Sequence, residues 1–194
     1  MAYGKIIPGL ILEGEPAPYG VINERAVRAG AGLMFAIGFF TLMTMYFERN
    51  LLLAFWVILV FWIDFILKVF IGPEISLFGR IGKLLVKNQR PEYVGAIQKR
   101  FAWSIGLVMS SAVLGFISYQ LFFATQCTQT VVGSGSNCII PMILCGICLI
   151  FMWLESAVGF CVGCVIYQWL VKRGVIKQKE FSPVCPGGVC SVEK

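Results

Sequence analysis

The sequence predicts an all-α fold, a polytopic membrane helical bundle with four transmembrane helices and one interfacial amphipathic helix. The composition supports this class, because 58% of the residues are hydrophobic and only 13% are charged, whereas soluble domains carry about 25% charged residues. Four apolar stretches are each long enough to cross the roughly 30 Å hydrocarbon core of a bilayer. We therefore expect the lipid bilayer to be the main partner of this chain.

The four apolar stretches define the predicted spans, and the fourth stretch is much longer than the others. The spans cover Ala29–Tyr46, Leu51–Ile71, Phe101–Phe123 and Ile139–Val171. A wholly helical fourth stretch would be about 50 Å long at 1.5 Å per residue. We expect it either to tilt steeply and extend beyond the bilayer or to break, and Glu155 and Gly159 are the natural places for a break.

The basic residues set the predicted orientation. All of them except Arg49 lie before the first span, between the second and third spans, near the end of the second span, or after the fourth. The positive-inside rule makes that side cytoplasmic. This predicts a cytoplasmic N-terminal segment over residues 1–28, a membrane domain over 29–171 and a cytoplasmic tail over 172–194. The net charge of +6 follows from this topology, and no nucleic-acid-binding motif accompanies it.

The interfacial helix is predicted over about residues 75–90, between the second and third spans. Its apolar residues recur at helical spacing, and its basic residues take the opposite face, a pattern typical of helices that lie in a membrane interface. The apolar face holds Leu77, Phe78, Ile81, Leu84 and Leu85, and the basic face holds Arg80, Lys83 and Lys87.

Histidine is missing from the sequence, and this excludes several classes of function. Histidine is the commonest general base and the commonest metal ligand. A Ser-His hydrolase is excluded, and so is a haem, copper or iron centre with histidine ligands.

The eight cysteines fall into four close pairs. One pair brackets the uncharged outer loop and is a disulfide candidate, two pairs have C-x-x-C spacing in the fourth stretch, and one pair lies in the tail. In that order the pairs are Cys127 with Cys138, Cys145 with Cys148, Cys161 with Cys164, and Cys185 with Cys190.

The two C-x-x-C pairs allow three interpretations. Paired thiols can exchange electrons with a partner dithiol, they can bind a soft metal, or they can be small buried hydrophobic residues. The metal alternative uses Cys161, Cys164, Cys185 and Cys190. The packing alternative is supported by Gly159-x-x-x-Gly163, a spacing found at close helix interfaces.

A relay between the two pairs is limited by distance. On a straight helix Cys145 and Cys161 would be about 24 Å apart. Electron transfer between the pairs would therefore need a helix break, a partner protein or a mobile carrier such as a quinone.

Two carboxylates lie within the predicted spans, where ionised groups are costly and are candidates for function. Asp64 has a structural partner in Lys68, four residues later on the same helix face. Glu155 has no basic neighbour in the sequence. It is expected to be neutral, to pair with Arg25 or Arg28, or to accept a proton when thiols are oxidised.

Several short stretches resemble the small bacterial membrane proteins of the domain-of-unknown-function family 4395. The resemblance runs from about Val21 to Trp169, and its most specific element is the G-F-C-x-G-C motif of residues 159–164. The other stretches are Asn23-Glu24-Arg25, Asp64-Phe65, Gly72-Pro73, Lys99-Arg100-Phe101-Ala102 and Leu154-Glu155.

The resemblance implies four helices and an inner-membrane location, and it implies no activity. It singles out Cys161 and Cys164, together with Glu155 and Asn23, as positions that match the family pattern. The other six cysteines are not part of that pattern.

Three functions remain open from the sequence. The first is a membrane thiol–disulfide oxidoreductase with Cys161, Cys164 and Glu155 as catalytic residues and either no cofactor or a quinone. The second is a non-catalytic subunit or scaffold of a membrane complex. The third is transport of a soft metal ion or a sulfur species. The expected protein partners are a thioredoxin-like protein or other membrane subunits.

Overall fold

A computed structural model describes residues 3–12, 15–16, 19–48, 50–122 and 136–176, and it confirms the predicted all-α bundle. The described part of the chain contains six α-helices: α1 (Glu24–Phe47), α2 (Leu51–Phe70), α3 (Leu77–Leu85), α4 (Ala96–Phe122), α5 (Ser136–Trp153) and α6 (Val162–Lys172). Two short antiparallel strand pairs accompany them, β1 (Ile11–Leu12) with β2 (Glu15–Pro16) and β3 (Val21–Asn23) with β4 (Tyr93–Gly95).

Four helical segments are long and apolar enough to cross a membrane. They are α1, α2, α4 and the stretch Pro141–Val158. Large apolar side chains such as Phe40, Trp56 and Val108 are exposed on their outer surfaces, an arrangement that suits contact with lipid. The chain is thus a multi-pass membrane protein by its helix lengths and composition.

The four long helices form a ring. Helix α1 packs against α2 and α5, and α4 packs against the same two helices. The N-termini of α1 and α4 and the C-terminus of α2 lie together at one end of this ring, where Arg100 Nε donates a hydrogen bond to the Val69 carbonyl at 2.9 Å. We call this the basic end, because most of the basic residues of the described chain lie there.

Two helices begin earlier than the hydrophobicity predicts. Helix α1 begins at Glu24 rather than Ala29, because the Asn23 side chain caps it by accepting a hydrogen bond from the Arg25 N–H at 3.1 Å. Helix α4 begins at Ala96 rather than Phe101. Hydrophobicity finds only the apolar part of a helix, so it misses a charged first turn.

Strands β3 and β4 form a clasp at the basic end. No strands were predicted from the sequence in this part of the chain. Val21 pairs with Gly95, and Asn23 pairs with Tyr93. The Glu24 N–H extends the ladder by donating to the Glu92 carbonyl at 2.7 Å. Because each strand leads directly into a helix, this clasp fixes the first turns of α1 and α4 side by side.

Helix α3 lies within the range predicted for the interfacial helix and packs closely on α1. Phe78 and Gly82 are its buried residues, and a Cβ on Gly82 would lie 2.2 Å from the Ala26 carbonyl oxygen. Asp64 on α2 holds the start of α3 by accepting a hydrogen bond from the Phe78 N–H at 3.0 Å. The same carboxylate forms a 2.7 Å ion pair with Lys68.

The fourth apolar stretch breaks near its predicted positions. Helix α5 ends at Trp153 and continues as one π-helical turn over Leu154–Val158. Gly159 then adopts a left-handed conformation with φ +77°, which glycine takes without the steric cost of a Cβ. Helix α6 starts again after Cys161, and its eleven residues would extend only about 16 Å. The break explains how so long an apolar stretch fits against a ring of shorter helices.

Candidate redox site of two thiols, one ammonium and two carboxylates

Cys161 and Cys164 form the start of helix α6. Cys161 is the N-cap residue, with extended backbone angles of φ −92° and ψ 97°. Its Sγ accepts a hydrogen bond from the Cys164 N–H at 3.3 Å, in the manner of a capping side chain. The two thiols are also within hydrogen-bonding reach of each other. The pair therefore lies at the positive end of a helix dipole, which favours a thiolate, whereas the burial of both sulfurs opposes one.

Lys99 provides a buried cation beside this pair. Its side chain is only 1% exposed, and its Nζ lies 2.9 Å from Glu155 Oε1 and 3.7 Å from Glu24 Oε1. It is also close enough to both thiols for its charge to act on them. One ammonium thus faces two carboxylates and two thiols in a largely buried site, in which the Glu155 side chain is 17% exposed.

The number of protons bound by the two carboxylates determines the net charge of this site. If Glu24 and Glu155 were both ionised, these two carboxylates and Lys99 would carry a net charge of −1, which is costly at low dielectric and which the nearby Arg28 partly compensates. Glu24 Oε2 is buried and has no hydrogen-bond partner among the described atoms. The cluster is therefore suited to hold an additional proton and to release it.

The fold brings these residues together from three separate segments. The clasp of β3 and β4 aligns the first turn of α1, which carries Glu24, with the first turn of α4, which carries Lys99. The π-helical turn directs Glu155 toward Lys99 from the third side. The site therefore depends on strand register and helix distortion as well as on helix packing.

Two glycines allow the close approach of the break to its neighbours. A Cβ on Gly163 would lie 2.5 Å from the Ala102 Cα on α4. A Cβ on Gly159 would lie 3.0 Å from an Arg28 guanidinium nitrogen. The glycines of the G-F-C-x-G-C motif thus have a packing role, which places the thiols against the Lys99 segment.

An exposed ion pair lies outside the buried cluster. Arg25 donates from Nε to Glu92 Oε1 at 2.8 Å, and the two side chains are 37% and 39% exposed. The hydrogen bond from Arg25 lowers the pKa of Glu92 below its usual value, helped by the Arg25 charge and opposed by a small burial effect. This pair ties the start of α1 to the segment before β4.

A cavity of about 130 Å³ lies inside the helix ring and is lined by Cys145 and Cys148 of one C-x-x-C pair and by Cys161 of the other. Most of its walls are apolar, and polar groups reach it at a few points. The chemically relevant lining residues are Thr41, Ser110, Cys145, Cys148, Glu155 and Cys161. The cavity therefore connects the Cys145–Cys148 region of α5 with the buried cluster.

The structure corrects two sequence-based expectations about this site. Glu155 pairs with Lys99 rather than with Arg25 or Arg28, which was one of the three alternatives, and Arg25 pairs with Glu92 instead. Cys161 is not on a continuous helix with Cys145, since the chain turns at Gly159 before α6. The straight-helix distance of about 24 Å therefore does not describe the two pairs.

Sequence reasoning missed Lys99 and Glu24 as members of the site. Lys99 was assigned to the cytoplasmic loop as an orienting charge, because hydrophobicity placed it before the span. A usable signal was present, since Lys99-Arg100-Phe101-Ala102 and Asn23-Glu24-Arg25 are among the stretches that resemble the family. Those stretches meet Glu155 and the G-F-C-x-G-C motif at this one site.

The remaining cysteines divide into two groups. Cys145 and Cys148 are free thiols within α5. Cys127, Cys185 and Cys190 lie outside the described residues, as does the side chain of Cys138, so the disulfide candidate and the tail pair stay predictions. Among the described residues, no group of three or more histidine, cysteine, aspartate or glutamate side chains could hold a metal ion.

The fold and the site define a class: a multi-pass helical membrane protein with a buried cluster of thiols, carboxylates and one lysine. The particular assignment comes from the family comparison. The family model described as a domain of unknown function (DUF4395) matches residues 22–172, which is most of the 194-residue chain. The chain belongs to this family, as the sequence motifs predicted. No curated protein and no solved structure matches the chain.

Proposed function

We propose that this protein is a membrane thiol–disulfide oxidoreductase in which Cys161 and Cys164 alternate between a dithiol and a disulfide. The observation that carries the proposal is the position of Cys161 at the cap of α6, with its sulfur hydrogen-bonded to the Cys164 N–H. In this position the two sulfurs approach each other without distortion of a helix.

The surrounding charges support such a cycle. Oxidation of the dithiol breaks two S–H bonds, forms one S–S bond and releases two protons and two electrons. Lys99 would stabilise the thiolate that forms first, together with the helix N-terminus. Glu155, 2.9 Å from Lys99, would accept a proton. Glu24 and Lys99 are positioning residues in this scheme, because Lys99 holds Glu155 in place and Glu24 contacts the same ammonium.

Burial decides how electrons reach the pair. Cys164 is 0% exposed and Cys161 is 6% exposed. The folded disulfide of a partner protein could not reach these sulfurs without a conformational change. A small molecule that enters the helix ring suits the closed geometry better.

A redox titration of purified protein in lipid nanodiscs tests the proposal. The protein is equilibrated in buffers with graded ratios of oxidised to reduced dithiothreitol, and free thiols are alkylated and assigned by peptide mass spectrometry. We expect one two-electron transition at the Cys161–Cys164 peptide. A Cys145→Ser, Cys148→Ser variant is the matched control and should keep that transition.

Two outcomes would count against the proposal. One is a Cys161–Cys164 peptide that stays fully reduced over the whole range of buffers. The other is a transition that moves to Cys145–Cys148, which would place the redox chemistry on the uninterrupted helix.

A further inference from the structure

We propose that the cavity inside the helix ring binds the head group of a quinone, and that this quinone is the electron acceptor of the Cys161–Cys164 dithiol. The inference rests on the proposed function and adds the class of its oxidant. It is carried by a different observation, the size, lining and position of the cavity.

The volume of the cavity limits the size of the ligand that it can hold. An apolar protein cavity of about 150 Å³ takes up benzene, so the 130 Å³ cavity has room for one six-membered ring. Sites for larger drug-sized molecules are typically about 300–1,000 Å³. A single-ring head group suits the smaller volume of this cavity, and an attached alkyl chain would lie between the helices toward the lipid.

The part of the lining next to the dithiol suits a flat ring with a polar atom at its edge. Phe61, Phe65 and Trp103 supply aromatic walls, and aromatic rings pack well against other rings in offset or edge contacts. Cys161 and Glu155 lie at one part of the lining, and a protonated carboxyl group there could donate to a quinone oxygen.

The hydroxyls of the lining leave their acceptor capacity free. Thr41 Oγ1 donates to the Ile37 carbonyl at 2.8 Å, and Ser110 Oγ donates to the Leu107 carbonyl at 3.0 Å. Each hydroxyl oxygen can still accept a hydrogen bond. Acceptors are what the O–H groups of a hydroquinone need, so these hydroxyls offer the reduced product polar contacts farther along the cavity from the dithiol.

The electron and proton balance closes with no further reactant. The dithiol loses two hydrogen atoms and forms the Cys161–Cys164 disulfide. The quinone gains two electrons and two protons, and its two carbonyl groups become the two O–H groups of a hydroquinone. Glu155 would pass a thiol proton to the ring, and the neighbouring Lys99 charge would compensate the carboxylate between the two transfers.

The occupant is expected to arrive from the bilayer. The cavity lies among α1, α2, α4 and α5, which are the segments long enough to cross the membrane. A quinone dissolves in the hydrocarbon core, so it can reach a site of this kind where a water-soluble protein cannot.

The test uses the reduced, purified chain in nanodiscs and a short-tailed benzoquinone added without oxygen. We expect loss of two thiols per chain at the Cys161–Cys164 peptide and formation of one hydroquinone, followed by ultraviolet absorbance. The variant Thr41→Leu places a larger apolar side chain in the cavity, and it should slow this reaction about tenfold, the effect of about 1.4 kcal/mol.

Thr44→Leu is the matched control for that variant. Thr44 is on the same helix, donates to the Thr41 carbonyl at 2.9 Å and is outside the cavity lining. This control should react with the quinone at the rate of the unmodified chain. Oxidation by diamide, a small direct thiol oxidant, shows in each variant that the dithiol is intact.

The results separate failure of the quinone site from failure of the function. Oxidation by diamide but not by the quinone would overturn the quinone inference and leave the dithiol chemistry in place. Failure with both oxidants would overturn both proposals. Equal quinone rates in Thr41→Leu and Thr44→Leu would show that the quinone does not use this cavity.

A binding measurement keeps the inference testable if Thr41→Leu does not fold. Trp103 lines the cavity and is 4% exposed, so a bound quinone should quench its fluorescence. The Trp103→Phe variant should lose this saturable quenching component. Quenching that is unchanged in the variant would place the quinone elsewhere and overturn the inference.

Discussion

The two C-x-x-C pairs of the described chain have the same spacing but differ in backbone conformation, because one lies within a helix and the other begins one. Cys145 and Cys148 lie inside α5, where residues three apart have Cβ atoms about 5–6 Å apart. A disulfide needs Cβ atoms about 3.5–4.5 Å apart, so this pair cannot close without distorting the helix. Cys161 lies outside α6 at its cap, and its sulfur reaches Cys164.

The two pairs also differ in their electrostatic surroundings. Cys161 and Cys164 lie beside Lys99 and its carboxylates, whereas Cys145 and Cys148 have mainly apolar neighbours, such as Met142 and Leu144 near Cys145. The comparison teaches that C-x-x-C spacing alone does not define redox chemistry in a membrane helix. The break in the helix lets the two sulfurs approach each other, and the buried Lys99 supplies a positive charge beside them.

The largest predicted effect comes from removing the cation that only one pair has. Lys99→Met leaves Glu155 and Glu24 buried without their ammonium partner, and breaking a buried pair costs about 3–5 kcal/mol. We expect a lower thermal unfolding temperature and slower alkylation of Cys161, with unchanged alkylation of Cys145. Adding Glu155→Gln should recover part of the stability, and a Lys99→Met protein as stable as the unmodified chain would contradict the buried triad.

The second prediction compares the glycines inside the two motifs. Gly163→Ala forces a Cβ against Ala102 at 2.5 Å, and overpacking of this kind typically costs about 1–3 kcal/mol. Gly146→Ala, between Cys145 and Cys148, meets open space and should stabilise α5 by up to about 1 kcal/mol. Unfolding temperatures in one detergent measure both, and a reversed order would mean that the α4–α6 contact is not tight.

The third prediction tests the pair on the uninterrupted helix. Replacing Cys145 and Cys148 with alanine removes two small apolar side chains, and a typical single substitution costs about 1 kcal/mol. The midpoint of the Cys161–Cys164 redox transition should stay where it is in the unmodified chain. A shifted midpoint in the dithiothreitol titration would show that the pairs are coupled and would weaken the contrast between them.

The smallest effect concerns the exposed ion pair at the basic end. Because Arg25 lowers the pKa of Glu92, the carboxylate contributes stability that is present above its unfolded-state pKa and is lost as the pH falls through its folded-state pKa. An exposed pair contributes about 0.5 kcal/mol.

The chain should therefore be slightly more stable than Glu92→Gln at neutral pH. The difference should begin to shrink near pH 4 and should vanish once the pH is below the lowered folded-state pKa of Glu92. Thermal unfolding at both pH values measures the difference. A gap that persists in acid would assign the effect to packing rather than to charge.

The bundle was predictable because hydrophobic length and charge placement carry most of that information. The apolar runs located α2 well, and they located α1 and α4 well except at their starts. Their first turns contain Glu24 and Lys99, which hydrophobicity reads as loop residues. The break at Gly159 was foreseeable from the excess length of the fourth stretch.

The site was predictable only in part, because it depends on residues that are distant in sequence. Spacing and motif pointed to Cys161, Cys164 and Glu155. No local pattern could show that Lys99 would lie 2.9 Å from a carboxylate on a residue so far along the chain. The antiparallel pairing of β3 and β4, which brings Lys99 close to Glu24, involves only three residue pairs and gives almost no signal in the sequence.

This short pairing has a mechanical consequence. The distance between Glu24 and Lys99 is set by the hydrogen-bond register of β3 and β4 at the end of the bundle, rather than by side-chain packing inside the bundle. A slip of one position would displace the two strands by about 3.3 Å, nearly the full 3.7 Å that now separates ammonium from carboxylate. The proton affinity of the buried cluster thus depends on three residue pairs between two strands at the end of the bundle.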